Sequence, residues 1–167
     1  MIDLDAEAIY RRFSGRVRER TDGRDVRLVG VRTGGVWLAE RLKGELGIRH
    51  PVGVLDISFY RDDFDKQGLS PTVKPSRIEF DVDGQHLLLV DDVLYTGRTV
   101  RAAMNELFDY GRPARIDLAV LIDRGGRELP VEASVVGATL EVPPEVSVVL
   151  SRDEVGKLHL TLEQRGA

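Results

Sequence analysis

Residues 87–100 read LLLVDDVLYTGRTV, and their order suits a phosphorylated sugar. An apolar run stops at two adjacent carboxylates, Asp91 and Asp92. A short polar turn follows, then helix-forming residues. An acidic side chain can bind sugar hydroxyls while the turn cradles a phosphate. Adjacent strand residues point to opposite faces, so the two carboxylates need not touch one ligand. One can bind ribose hydroxyls while the other acts through water or orients the loop. Ligands of open α/β sheets bind outside the carboxyl ends of the strands, which favours this reading over two solvated acids at a strand end. Gly97 permits a tight turn. The hydroxyls of Thr96 and Thr99 are donors, and backbone amides entering the next helix can face phosphate oxygens. Arg98 either adds charge there, points into solvent or forms a subunit contact. The same Thr96 and Gly97 would also satisfy a helix start with no ligand.

Other phosphate and metal chemistries lack their residues. There is no GxxxxGK[ST] loop and no Gly-rich dinucleotide fingerprint. The three histidines are scattered and cysteine is absent, so zinc has little support and disulfides and thiolates have none. Magnesium suits the site better, because phosphate oxygens and water complete its shell around few carboxylates such as Asp91 or Asp92. A reducing, cytoplasmic setting fits the lack of cysteine. No apolar run approaches membrane-spanning length. The formal charge of −4 favours neither general nucleic-acid binding nor an anionic membrane. Residues 1–32 nevertheless hold eight arginines against six acids, a local net of +2.

The elements that must position these residues follow from periodicity. The 167 residues, 42% hydrophobic and 31% charged, are enough for one substantial core. Leu4, Ala8, Ile9 and Phe13 form an inward stripe on a first helix within residues 2–20. Strands are expected at 26–31, 52–59, 86–90 and 116–122, with a short return at 78–82 and a turn at Asp83-Gly84. Helices are expected from Trp37 to about residue 46 and over 99–110, the second stopped by Gly111 and Pro113. Trp37 sits beside Val36, Leu38 and Leu42, which predicts core or interface packing. The repeated strand, loop and helix order predicts an α/β fold: an open, mainly parallel twisted sheet flanked by helices. The polar run after residue 60, with Gly68, Pro71 and Pro75, predicts a flexible loop or β-arm over 60–80. The β-like tail predicts a small hood, with 123–145 as part of it, inside a single domain spanning 1–167.

Residues 90–99, VDDVLYTGRT, resemble the phosphoribosyl pyrophosphate (PRPP) signature of the phosphoribosyltransferase family. Residues 56–63, 118–125 and 127–130 narrow the resemblance to the bifunctional pyrimidine-operon attenuator/uracil phosphoribosyltransferase family, over about 4–130. The resemblance implies that uracil and PRPP give UMP and diphosphate, with Mg²⁺ and a homodimer or higher homo-oligomer. It makes Asp91 and Asp92 the ribose-side acids and Val93, Leu94, Tyr95, Thr96, Gly97, Arg98 and Thr99 the 5′-phosphate loop. Arg32, Thr33, Gly34 and Gly35 correspond to the diphosphate-side loop. Residues 60–75 resemble a mobile cover, with Tyr60, Asp62, Asp63 and Lys74 as its candidates and Arg61 as a catalytic or ligand residue. An ion-pair clasp is the plainer role for Arg61, and a solvated loop lysine for Lys74. Asp123, Arg124 and Gly125 fall on the base side. Three departures stand out: Gly34 where the family carries arginine, Gly126 where it carries histidine, and an altered run at 137–142. Two alternatives accompany the enzyme: a UMP-responsive regulator that binds pyrimidine-leader RNA, and a degenerate PRPP-binding protein without transfer.

Overall fold

The computed structural model describes residues 2–57 and 76–165. Its elements run β1 (Ile2–Leu4), α1 (Ala6–Thr21), β2 (Val26–Val31), α2 (Gly34–Leu46), β3 (Gly53–Leu55), β4 (His86–Leu94), α3 (Arg98–Tyr110), β5 (Arg115–Asp123), β6 (Val135–Thr139), β7 (Val146–Arg152) and β8 (Leu158–Gln164). Five strands form a parallel sheet in the order β3-β2-β4-β5-β6. This is the α/β arrangement that the sequence pattern predicts.

Unbroken apolar runs in β4 and β5 mark strands covered on both faces. Period-2 alternation divides their side chains. Leu88, Val90, Ala119 and Leu121 join a core with α1 and α2, through Ile9, Phe13, Leu38 and Leu42. Leu87, Leu89, Leu118 and Val120 join a second core with α3, through Val100, Ala103 and Leu107. Each fully buried leucine contributes about 1.5–3 kcal/mol, so the sandwich fixes strand register firmly. Trp37 packs against the first core, and its ring takes the Arg152 guanidinium at 4.8 Å.

Polar clasps tie the elements together away from the sheet's carboxyl ends. Asp117, 5% exposed, accepts from His86 at 2.7 Å, Arg115 at 3.0 Å, Ser134 at 3.0 Å and Arg20 at 3.3 Å. It thereby joins α1, β4, β5 and the approach to β6. Burial alone would raise its pKa, but the hydrogen bonds from His86, Arg115 and Ser134 prevail and hold it at about 2. Glu7 receives Arg41 of α2 and the Leu158 amide of β8, each within 3.0 Å.

Several expected boundaries move. Strand β4 does not stop at Val90. It runs through both carboxylates to Leu94, because β5 continues to pair with it, Asp91 opposite Val120 and Leu94 opposite Asp123. Helix α2 starts at Gly34, three residues before Trp37. Leu4 belongs to β1, held by Leu160 of β8, and not to the first helix. Residues 78–82 form no strand. Arg77 alone bridges to Val54, while Ile78 and Phe80 alternate toward the second core without a ladder. The antiparallel sheet β1-β8-β7 draws on both chain ends. Residues 135–139, expected in a hood, are instead the parallel edge strand β6 of the main sheet. The loop or arm expected over 60–80 lies for the most part outside the described residues.

Candidate functional site

The carboxyl ends of β2, β4 and β5 lie side by side, and the loops leaving them converge. The alternation that divides the cores also separates the paired acids. Asp91 is 5% exposed and its Oδ1 accepts the Asp92 amide at 2.8 Å. Asp92 is half-buried and its Oδ1 accepts the Val93 amide at 2.8 Å. Its other oxygen lies against α2, so close that a Cβ on Gly34 would stand 2.5 Å from it. A Cβ on Gly35 would strike the Val90 carbonyl. The two glycines therefore let the start of α2 press onto β4. Arg32, whose peptide bond to Thr33 is cis, sits 3.8 Å from Asp56, and Thr33 caps α2 through its carbonyl.

Tyr95, Thr96 and Gly97 connect β4 to α3. Gly97 has φ +95°, a left-handed conformation that favours glycine, and a Cβ there would press tightly on Val131 and Leu129. Gly97, at the N-cap, offers no side chain, the Arg98 amide donates to Thr96 Oγ1 at 3.2 Å, and no acid stands in the first turn of α3. The helix thus presents amide donors and its positive dipole end to the space beside the turn. The Thr96 carbonyl accepts the amides of Glu128 and Leu129 at 2.9 and 3.0 Å, which fixes the turn from behind. Arg98 does not reach into this space. It is exposed and pairs with Glu128 at 2.9 Å.

The segment after β5 forms the opposite wall. Asp123 receives Arg127 at 2.6 Å and the Gly125 amide at 2.9 Å. Burial raises its pKa, but these bonds, Arg127's above all, bring it below the ordinary value. Asp123 thus serves the wall's own architecture. Arg127 also donates to the Tyr95 carbonyl at 2.8 Å, so it holds the turn in place. Arg124 is 4% exposed and donates to the carbonyls of Val146 and Pro143. Its guanidinium covers the Tyr95 ring at 4.0 Å. Burial lowers its pKa from the ordinary value, and the nearby charge of Arg165 pushes the same way. Gly126 explains its own departure from the expected histidine: at φ +78° it packs on the Tyr95 ring, where a Cβ would collide.

A cavity of about 220 Å³ opens between these walls, lined by Val93, Tyr95, Thr96, Gly97, Thr99, Arg124, Ser147, Val148 and Arg165. Sequence reasoning placed the first five of these in the phosphate loop and Arg124 on the base side, and the structure sets Arg124 against the same turn. It missed Arg127, Ser147, Val148 and Arg165. Arg127 lay within a quoted motif, but Ser147 and Val148 come from β7 and Arg165 from just past β8, and none carries a local signal. The candidates Tyr60, Arg61, Asp62, Asp63 and Lys74 lie outside the described residues.

An open parallel sheet with an acid pair and a helix start at its carboxyl edge is the architecture of the phosphoribosyltransferase fold. Comparison with known proteins agrees. A family model described as "Phosphoribosyl transferase domain" matches residues 4–150. "Bifunctional protein PyrR" of Pseudomonas aeruginosa PAO1 is 55% identical over 139 residues, covering 83% of this chain and 79% of that protein. The protein of the same name from Nitrosococcus oceani is 48% identical over 155 residues, covering 90% and 88%. A hypoxanthine-guanine phosphoribosyltransferase structure from Bacillus anthracis shares the fold, with TM-score 0.68 at 18% identity over 89% of this chain and 87% of that one. The chain belongs to the phosphoribosyltransferase family, in the branch of bifunctional pyrimidine-operon attenuator/uracil phosphoribosyltransferases.

Proposed function

We propose that the protein transfers the phosphoribosyl group of PRPP to uracil, giving UMP and diphosphate. The observation that carries this reading is the juxtaposition of Asp91 and Asp92 with the open start of α3 across the turn 95–97. A ring nitrogen of uracil forms a bond to the anomeric carbon as the bond to the diphosphate oxygen breaks; diphosphate leaves with that electron pair, and the proton of the ring nitrogen passes to diphosphate or water. Positive charge develops on the ribose, and the half-buried Asp92 carboxylate stands where it can stabilise that charge. The amides of Gly97 and Thr99 and the hydroxyls of Thr96 and Thr99 hold the 5′-phosphate, with the Arg98 amide fixing the Thr96 hydroxyl. Arg32 to Gly35, beside Asp92, form the diphosphate side.

Among the described residues, no cluster of three or more His, Cys, Asp or Glu could hold a metal by itself. Hard oxygen donors from Asp92, or from Asp91 behind it, fit Mg²⁺ only if substrate oxygens and water complete the shell. Bound in that way, Mg²⁺ supplies charge neutralisation for the departing diphosphate. The expected result is UMP formation from uracil, PRPP and Mg²⁺ by the purified chain, with slower use of purine bases. Folded protein that yields no nucleotide from any base removes the transferase reading and leaves the PRPP-binding alternative, which PRPP protection would reveal.

A second reading, a UMP-responsive RNA-binding regulator in a homo-oligomer, draws on the exposed arginines of α1, Arg11, Arg12, Arg16, Arg18 and Arg20. Its support also includes the word "bifunctional" in the relatives' names.

A further inference from the structure

Residue 165 lies beyond the span 4–150 that matches the family model, yet Arg165 lines the cavity beside the turn. Its backbone amide donates to the Glu145 carbonyl at 2.6 Å, and its Nε donates to Ser147 Oγ at 2.9 Å. Arg165 is exposed, but these two bonds tether its backbone and its Nε beside the cavity. Its guanidinium lies 5.3 Å from the Tyr95 ring centroid, and that of Arg124 lies 4.0 Å from the same centroid. Two cations share one ring.

Among the described residues, neither Arg124 nor Arg165 forms an ion pair, although carboxylates neutralise Arg20, Arg27, Arg41, Arg98, Arg115 and Arg127. Arg124 is 4% exposed, and its Nε is buried without a hydrogen-bond partner. A buried guanidinium beside a second one is costly without a counter-anion. An anion in the cavity would relieve that cost. Thr96, Gly97 and Thr99 on the facing wall supply the hydroxyls and amides that phosphate oxygens accept from.

We infer that Arg165, just past β8, is a phosphate-binding residue, which together with Arg124 makes the cavity selective for a dianionic 5′-phosphate. This rests on the nucleotide reading above and adds a contact that the family-matched span does not contain. The tail would thus be part of the site. Charge-assisted contacts of this kind strengthen binding by about 10-fold or more.

Calorimetric titration of the full chain with UMP at low and moderate salt tests the assignment. Replacing Arg165→Gln is expected to weaken UMP about 10-fold at low salt, with a smaller gap as salt screens the pair. Arg165→Lys keeps the charge and is expected to stay within about 3-fold. Ser147→Ala, which keeps both charges but frees Arg165, is expected to fall between them. UMP affinity unchanged in Arg165→Gln would overturn the inference and leave the transferase reading standing. Equal losses in the Gln and Lys variants, insensitive to salt, would assign Arg165 to packing and overturn it as well. A wild-type chain that binds neither UMP nor PRPP would bring down the functional reading, and this inference with it.

Discussion

Asp92 is the residue on which the proposed chemistry depends most directly. Its Oδ1 accepts one amide and its second oxygen lies over Gly34, so the carboxylate is held without being buried. Asparagine can keep the bond to Val93 but carries no charge. Asp92→Asn is therefore expected to lower kcat/KM for PRPP about 100-fold, the scale of losing one preorganised electrostatic group, with an unchanged melting temperature. Steady-state kinetics at several PRPP concentrations measures this, and wild-type kinetics in the variant would remove Asp92 from the reaction. Gly126 makes the complementary prediction about structure. At φ +78° and against Tyr95, alanine meets both backbone strain and a collision, so Gly126→Ala should cost about 1–3 kcal/mol in urea unfolding. These two positions also mark the limit of what sequence reveals. The acid pair is legible because carboxylates after an apolar strand are an unusual pattern. The reason for Gly126 is not, because Tyr95 reaches it only in the folded chain.

Among the elements, the ones that bury both faces were legible and those decided by pairing were not. Strands β2, β4 and β5 announce themselves as apolar runs, since helices cover them on both sides. Strand β1 has three residues and exists because β8 arrives beside it from the other end of the chain. The extension of β4 past Asp91 likewise depends on β5 and not on local propensity. The clasp at Asp117 is of the same kind: its five members are spread from Arg20 to Ser134, and only the sheet assembles them. Its carboxyl is held at about 2, below the ordinary value of 3.8. Since the folded value is the lower one, the stabilisation is complete above pH 3.8 and is lost as pH falls through about 2. The shift corresponds to roughly 2 kcal/mol. Asp117→Asn should therefore lower stability by roughly that amount at neutral pH and converge with the wild type near pH 2. Chemical unfolding across this pH range reads the gap, and a difference that persists undiminished at pH 2 would assign the cost to packing.

At the scale of the molecule, the two proposed activities use different surfaces and can be separated. The proposed transfer site faces the carboxyl edge of the sheet, whereas α1 packs mainly beside β6 and turns its arginines outward. Not all of those arginines are equally available. Arg16 donates to the Val136 carbonyl, Arg18 to the Glu45 carbonyl and Arg20 to Asp117, so Arg11 and Arg12 are the better phosphate contacts. A chain of net charge −4 gains little from general attraction to RNA, so such contacts must act as a local patch, repeated across an oligomer. Each phosphate contact to single-stranded RNA contributes about 0.7 to the slope of log affinity against log salt. A double variant, Arg11→Gln with Arg12→Gln, is accordingly expected to reduce that slope by about 1.4 per protomer while leaving UMP synthesis intact. Filter binding of pyrimidine-leader RNA over a salt series, with and without UMP, supplies the measurement. Binding that ignores UMP, with a slope the double variant does not change, would detach RNA recognition from α1 and leave the transferase as the function this fold supports.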